Sequence, residues 1–207
     1  MGCTDKGRMN KAVVLLSGGL DSCVALAIAV SEQKMCYALS FDYGQRHICE
    51  LEYARKIADH YGVEHTVIKV DPALFGTCSS LLNNSLAIED NTVVPGRNLL
   101  FLSSAATFAE AIDADEIYFG ANKDDIETYP DCRREFIEST RNTISLSSNT
   151  PIKIISPLAT RTKPEIVALG HELQAPIAMS WSCYDPQEGA PCQKCPACLL
   201  RKSSFPP

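Results

Sequence analysis

The segment Ser17-Gly18-Gly19-Leu20-Asp21-Ser22 lies between a short apolar run and a helical pattern. Two adjacent glycines let the backbone approach an anion closely, and the hydroxyls of Ser17 and Ser22 add donors. Free backbone N–H groups at the start of a helix favour phosphate, and the Asp21 carboxylate suits the magnesium ion of a nucleotide. The alternative is a plain turn in which Asp21 or Ser22 caps the helix. We predict that ATP with Mg²⁺ is bound by Leu16, Ser17, Gly18, Gly19, Leu20, Asp21 and Ser22.

A second group of chemically active side chains is the cysteine array near the end of the chain, Cys183, Cys192, Cys195 and Cys198. Thiolates at this spacing can close tetrahedrally around Zn²⁺ at about 2.3 Å, and four of them leave no open position, so the zinc would be structural. An iron–sulfur cluster accepts the same ligands and stays open as an alternative. The remaining cysteines are scattered and are predicted to be small apolar core residues; they are Cys3, Cys23, Cys36, Cys49, Cys78 and Cys132.

Strand and helix patterns alternate along the chain, which predicts a parallel sheet covered by helices on both faces. In such a sheet the ligand site lies outside the carboxyl ends of the strands. The stretch Asp71–Pro95 has little periodicity and is predicted to be a loop over a site or a subunit contact. Strands are predicted at 12–16, 35–41, 65–70, 116–120 and 152–155, and helices at 22–30, 50–58, 98–109, 133–146 and 163–173.

Polar and glycine-containing segments follow four of these predicted strands. They are Leu16-Ser17, Phe41-Asp42-Tyr43, Gly120-Ala121-Asn122 and Ser156-Pro157-Leu158. Because the carboxyl ends of parallel strands meet at one edge of a sheet, we expect all four segments to face the same crevice.

Composition limits the classes of function. A chain of 207 residues with 45% apolar content suits one α/β domain with a small appendage, here an ATP-binding domain over 10–180 and a zinc-binding segment over 181–207 packed on it. The net charge of −6 argues against a broad nucleic-acid-binding surface and favours a small substrate. No apolar stretch reaches the ~20 residues needed to cross a membrane, so we expect a cytoplasmic protein with no membrane partner.

Motif order points to a family. The hexapeptide resembles the PP-loop of ATP pyrophosphatases, and three further motifs precede the cysteine array: Asp42-Tyr43-Gly44-Gln45-Arg46-His47 with Glu50, Val94-Pro95-Gly96-Arg97-Asn98, and Tyr129-Pro130-Asp131-Cys132-Arg133. Together they resemble the 7-cyano-7-deazaguanine synthases of queuosine precursor biosynthesis. The resemblance implies a Rossmann-like fold, a homodimer, one zinc per subunit, and ATP-dependent conversion of 7-carboxy-7-deazaguanine plus ammonia into the nitrile. This chain has Glu127-Thr128 where the family usually has Ser-Gly.

The implied chemistry suggests roles for particular side chains. The substrate carboxylate would attack the α-phosphate, ammonia would displace AMP to give an amide, and a second activation would allow dehydration to the nitrile. Donors held at the charged oxygens stabilise such steps. The predicted catalytic residues are Asp21, Ser17, Arg97 and Lys163, and the predicted substrate-binding residues are Tyr43, Gln45, Arg97, Asn98, Asp131 and Arg133, with Asp131 and Gln45 reading the base edge.

Structural roles stay open for several of these residues. Arg97-Asn98 could simply begin a helix, Asp131 after Pro130 could be an N-cap, and Lys163 before Pro164 could be a surface charge at a helix start. Arg46-His47 could be a solvated turn. A nucleophilic Cys132 is not predicted, because the adenylylation scheme needs none and no partner base is evident.

Two other functions are compatible with parts of the sequence. A PP-loop tRNA thiolase would adenylylate a base carbonyl and transfer sulfur, but it requires a basic RNA surface and reactive cysteines near the loop, and the acidic net charge counts against it. A non-enzymatic zinc module that binds a protein or nucleic acid through the final segment would leave the PP-loop unused.

Overall fold

The apolar run after Lys11 forms the central strand of a parallel sheet in the computed structural model, which describes residues 10–205. Continuous apolar sequence is typical of a strand buried on both faces, and Ala12 to Val14 are fully buried. The strand order is β3-β2-β1-β4-β5, with every neighbouring pair parallel. The strands are β1 (Lys11–Leu15), β2 (Met35–Asp42), β3 (Glu64–Lys69), β4 (Glu116–Tyr118) and β5 (Lys153–Ile155). The predicted α/β, Rossmann-like architecture is confirmed.

Within residues 10–205, six α-helices connect and follow these strands. Five were predicted and differ from the prediction by a few residues at their ends, whereas the last, inside the cysteine-rich segment, was missed. The helices are α1 (Leu20–Ser31), α2 (Glu50–Tyr61), α3 (Arg97–Ala111), α4 (Arg134–Ser147), α5 (Lys163–Glu172) and α6 (Pro196–Ser204). Among residues 10–205, none is long and apolar enough to span a bilayer.

Each face of the sheet carries its own hydrophobic core. On one face α1, α2 and α5 contribute Leu26, Ile57 and Ile166, all fully buried. On the other face α3 contributes Leu102 and the cysteine-rich segment contributes Trp181. The predicted loop over 71–95 contains one short 3₁₀ turn, and its apolar residues Leu81, Ile88 and Val94 pack into this second core. The loop therefore covers part of that second core.

The sheet reverses its winding direction between β1 and β4, which is where open α/β sheets bind ligands. The turn after β1 brings α1 and α2 close together. Gly18 has φ +86°, and a Cβ there would lie 2.2 Å from the carbonyl oxygen of Glu50. Only glycine therefore fits between the loop and the start of α2.

The scattered cysteines follow the prediction only in part. Cys23, Cys36 and Cys132 are buried, Cys49 is half-buried, and Cys78 is exposed. The prediction of a core position was therefore wrong for Cys78, which lies in the loop over 71–95. Cys3 lies outside the described residues, as do the last two residues of the segment predicted over 181–207.

Candidate active site and metal centre

A crevice opens where β1, β2 and β4 end, and three of the four predicted strand-end segments line it. The prediction was wrong for Ser156-Pro157-Leu158, which lines neither cavity, because Leu158 is fully buried in the core on the α1 face of the sheet. It consists of two adjoining cavities of about 430 and 220 Å³. The smaller cavity is lined by aromatic and polar groups of β2 and α3, and the larger extends toward α6. Both cavities are lined by Ser17, Asp21, His47, Glu50, Asp125, Tyr129, Lys163 and Tyr184.

The PP-loop keeps the start of α1 open. Gly19 is the N-cap of α1 and no side chain caps this helix, so the alternative in which Asp21 or Ser22 is a simple cap does not hold. The Ser17 hydroxyl accepts from the Gly19 N–H at 3.3 Å and is exposed. The Ser22 hydroxyl instead donates to the Gly19 carbonyl at 3.0 Å and so stabilises the turn of the loop. Donation from Ser22 to a phosphate stays a prediction. Leu16 and Leu20 are buried, which leaves only their backbone for a ligand.

Lys163 and Asp21 form an ion pair at the centre of the crevice. The Lys163 side chain is only 14% exposed, so the surface-charge alternative for this residue is wrong. The second carboxylate oxygen of Asp21, Oδ1, is buried and has no hydrogen-bond partner among the described residues. Asn122 donates to the carboxylates of Asp21 and Asp125 at 3.3 and 2.5 Å. Burial, with a smaller contribution from the negative charge of Asp21, raises the pKa of Asp125 to about 6 against the opposing charge of Lys163.

The wall made by β2 and α3 carries three of the predicted substrate residues. Tyr43 is 3% exposed, and the Arg97 guanidinium donates to its hydroxyl at 3.3 Å. Asn98 is the second residue of α3 and lies beside Arg97 in the lining of the smaller cavity. The rings of Phe41 and Phe101 stack with centroids 3.9 Å apart and hold the end of β2 against α3. Arg97-Asn98 thus begins a helix and also faces the crevice.

Three other predicted substrate residues do not line either cavity. Gln45 is buried: its oxygen accepts from the Tyr43 N–H at 2.9 Å, and its amide donates to the Phe41 carbonyl and the Glu50 carboxylate, both at 3.0 Å. Asp131 accepts from the Asn98 N–H at 3.0 Å, so it caps α3 rather than the helix that follows it. Arg133 is exposed and donates to the Ile126 carbonyl at 3.2 Å. The structure therefore does not bring these three side chains into the lining of the crevice, and their contact with substrate stays a prediction.

His47 and Glu50 line both cavities, although no role was predicted for either residue. His47 is 3% exposed, not part of a solvated turn, and its Nε2 lies 3.5 Å from Glu50 Oε2. Burial, with the charges of Arg97 and Arg46, lowers the pKa of His47 to about 3. Burial raises the pKa of Glu50 to about 7, against the hydrogen bond from Gln45 and the charge of Arg97. The sequence feature that could have identified them is their i, i+3 spacing in the segment that joins β2 to α2.

The four array cysteines meet as predicted, with their ligand atoms all within 4.8 Å of one another. Four sulfurs around one zinc lie about 3.8 Å apart at a Zn–S distance of about 2.3 Å, so the donor set fits a tetrahedral ion. Backbone N–H groups of Cys192 and Cys195 donate to the sulfurs of Cys183 and Cys192 at 3.2 and 3.3 Å. Such bonds stabilise thiolates, and they fix the chain around the cluster.

The cysteine-rich segment also forms one side of the larger cavity, which the sequence did not predict. Ala197, Leu200 and Arg201 of α6 line it. Arg201 donates to the hydroxyls of Ser180 and Ser182 at 2.8 and 3.1 Å, which ties α6 to the chain that runs past the PP-loop. Because the cysteines set the position of α6, they also set this wall.

Cys132 lies at the back of the smaller cavity and is not activated. Burial, together with the negative charges of Asp125 and Asp131, raises the pKa of its thiol to about 12. A thiol at neutral pH is a poor nucleophile. This agrees with the prediction that the chemistry does not use it.

Comparison with known proteins identifies relatives of this chain. A 7-cyano-7-deazaguanine synthase of Leptospira interrogans is 49% identical over 95% of this chain and 86% of its own length. A 7-cyano-7-deazaguanine synthase of Picrophilus torridus is 43% identical, over 95% of this chain and 87% of that protein.

Two solved structures share the fold at low sequence identity. The NMN synthetase of Francisella tularensis has a TM-score of 0.56 at 20% identity and covers 89% of this chain and 71% of that one. The U34-tRNA thiolase NcsA of Methanococcus maripaludis has a TM-score of 0.55 at 17% identity, covering 98% and 66%. A family model for queuosine biosynthesis protein QueC matches residues 11–206, and with the synthases above it shows that this chain belongs to that family.

Proposed function

We propose that this protein is an ATP-dependent C–N ligase that converts 7-carboxy-7-deazaguanine and ammonia into 7-cyano-7-deazaguanine in queuosine biosynthesis. The proposal rests on one observation: a candidate phosphate-binding loop and a candidate substrate cavity adjoin each other at one edge of the sheet. An uncapped helix start with a phosphate-type loop adjoins a cavity whose wall is Tyr43, Arg97 and Asn98. The relatives that match this chain over most of their length carry the synthase name.

The nucleotide would occupy the larger cavity with its phosphates at the start of α1. The free N–H groups there and the Ser17 hydroxyl suit a pyrophosphate. The unpartnered Oδ1 of Asp21 is a hard oxygen donor of the type that Mg²⁺ prefers, and magnesium bound there would supply Lewis acidity at the phosphates. Lys163 contacts the same carboxylate and can stabilise charge as the α–β bond breaks.

The deazapurine would occupy the smaller cavity with its carboxylate toward Arg97. The Arg97 guanidinium is held by the Tyr43 hydroxyl and remains positively charged, since its pKa is raised above its usual range despite burial. A fixed cation beside the reacting carboxylate orients it toward the α-phosphate and stabilises the oxyanion that forms when ammonia attacks.

The reaction then balances in two rounds. In the first, the carboxylate oxygen displaces pyrophosphate from ATP, ammonia displaces AMP, and one proton leaves as the amide forms. In the second, the amide oxygen displaces pyrophosphate from another ATP and one N–H proton leaves, and loss of AMP and the last N–H proton then gives the nitrile. Each round uses the same loop and the same cation, so one crevice can serve both.

The remaining predictions belong to this proposal. The four thiolates would hold one structural Zn²⁺, because a fully occupied tetrahedron leaves no position for water. The division into 10–180 and 181–207, the homodimer, the cytoplasmic location and the absence of nucleic-acid and membrane partners stay predictions. The thiolase alternative is not supported by the cysteine beside the loop, because burial raises the pKa of Cys23 to about 12.

The experiment is incubation with 7-carboxy-7-deazaguanine, ammonium and ATP-Mg²⁺, followed by mass spectrometry of the products. We expect the nitrile, with the amide appearing transiently. Parallel reactions that lack ammonium or contain tRNA in place of the deazapurine serve as controls. Folded, metal-loaded protein that forms neither amide nor nitrile would overturn the proposal.

A further inference from the structure

Glu50 occupies the point at which the two cavities meet. It is the first residue of α2, its side chain is 13% exposed, and it lines both cavities together with Ser17 and Lys163. The function proposed above assigns roles to the PP-loop, to Arg97 and to Tyr43, but it assigns no role to the carboxyl group of Glu50. A partly buried acid between a nucleotide and its co-substrate is a costly feature unless it is used.

The surroundings of Glu50 make its two oxygens different. Oε1 accepts from the Gln45 amide at 3.0 Å, so this oxygen is already hydrogen-bonded. Oε2 lies 3.5 Å from Nε2 of His47 and is the oxygen that can take a proton. Nδ1 of His47 is buried and has no hydrogen-bond partner among the described residues, so Glu50 is the one carboxylate that the structure places beside this ring.

We propose that Glu50, positioned by Gln45 and backed by neutral His47, is the general base that accepts the proton released when ammonia forms the amide and again when the nitrile forms. In the first step the N–H bond of the attacking ammonia breaks, its proton passes to Glu50, and AMP leaves with the bonding electrons. Glu50 then releases this proton to solvent. In the second round one N–H proton of the amide leaves to solvent as its oxygen is adenylylated, and Glu50 takes the last N–H proton as AMP leaves.

The charges around Glu50 suit this task. Burial raises its pKa to about 7, while the Arg97 charge opposes the shift and limits it. His47 stays neutral in this range because burial and Arg97 lower its pKa to about 3. Tyr43, which also faces Glu50, stays protonated because burial raises its pKa to about 12. A base with a pKa near the working pH is the most effective kind.

The test separates activation of the carboxylate from attack by ammonia. ATP–pyrophosphate exchange with 7-carboxy-7-deazaguanine alone reports adenylylation, which needs no general base. Amide formation after addition of ammonium reports the proton transfer. We expect Glu50→Gln to keep exchange and to lose about 10²-fold or more in amide formation. Hydroxylamine, a weaker base that is largely unprotonated at neutral pH, should restore much of the acyl transfer in this variant.

Two controls make the result specific. Glu52→Gln removes an exposed carboxylate of the same helix that pairs with Lys56, and it should leave both reactions unchanged. The parent protein, assayed at constant free ammonia, should show amide formation that rises with pH through about 7, the value to which burial raises the pKa of Glu50. This rise should be absent in Glu50→Gln.

The inference rests on the proposed function, and its failure can be told apart from failure of that function. If the parent makes no amide or nitrile, the proposed function fails. If the parent is active, the role of Glu50 is overturned by any of three results: a flat pH profile in the parent, amide formation in Glu50→Gln equal to that of Glu52→Gln, or equal losses of exchange and amide formation. The first result requires no variant, so a misfolded Glu50→Gln leaves the test intact.

Discussion

The backbone N–H of Trp181 donates to the carbonyl oxygen of Gly18 at 2.8 Å, so the cysteine-rich segment contacts the PP-loop directly. The indole N–H of the same residue donates at 2.7 Å to the carbonyl oxygen of Cys183, two residues further along the chain. A short, hydrogen-bonded path therefore connects the cysteine cluster to the turn that would receive the phosphates.

The first prediction follows from this path. Removing the metal with a chelator should loosen α6 and the chain around Trp181, and ATP-Mg²⁺ affinity should fall by about tenfold, or about 1.4 kcal/mol. Isothermal titration of nucleotide into loaded and stripped protein measures the change. Cys183→Ser should behave like stripped protein, whereas Cys36→Ala, in the other core, should match the parent in metal content and affinity. Equal affinities with and without metal would show that the two sites are uncoupled.

The second prediction concerns Asp21. Asp21→Ala removes the unpartnered oxygen and the partner of Lys163 but no core contact, so turnover should fall by about 10²–10³-fold while the fold and metal content remain. Steady-state kinetics, circular dichroism and metal analysis check these three quantities. Undiminished turnover would mean that the loop is a structural turn.

The third prediction distinguishes two arginines that the sequence treated alike. Arg97 lines the smaller cavity, whereas Arg133 is exposed and bonds a backbone carbonyl. Arg97→Ala should raise the KM for the deazapurine by about 10- to 100-fold, the usual worth of a charged hydrogen bond. Arg133→Ala should stay near the parent value. The reverse order of effects would contradict the assignment of the cavity.

The fourth prediction is a pH dependence of stability. The pKa of Glu50 is raised by burial from 4.5 to about 7 in the folded chain. The folded state therefore binds the proton more tightly than the unfolded state, and the free energy of unfolding should decrease as pH rises from about 4.5 to 7, by on the order of 3 kcal/mol. Urea denaturation of the parent and of Glu50→Gln measures this. The variant should lack this part of the decrease, and parallel curves for the two proteins would contradict the prediction.

The sequence was sufficient for the elements with strong periodicity and for sites formed by local spacing. The PP-loop and the strand ends could be predicted because parallel strands bring their carboxyl ends together. The cysteine cluster could be predicted because ligand spacing is itself the signal. The helix α6 was missed because it is short and shares its residues with that array.

The sequence could not show which way individual side chains point. Gln45 and Glu50 belong to one motif, yet Gln45 is buried under the strand end and Glu50 lines the crevice. Asp131 caps α3, which begins 34 residues earlier in the chain at Arg97, and no local pattern predicts such a contact. These differences depend on tertiary packing, which periodicity does not record.

The central claim, that substrate oxygen is activated by adenylylation at the PP-loop, is tested most directly by following that oxygen. The substrate is 7-carboxy-7-deazaguanine with both carboxyl oxygens labelled by ¹⁸O, and the nucleotide products are examined by mass spectrometry. Our account predicts that each AMP formed carries one ¹⁸O, the first from the carboxylate and the second from the amide, while pyrophosphate carries none. Unlabelled AMP, or ¹⁸O in phosphate released with ADP, would contradict it.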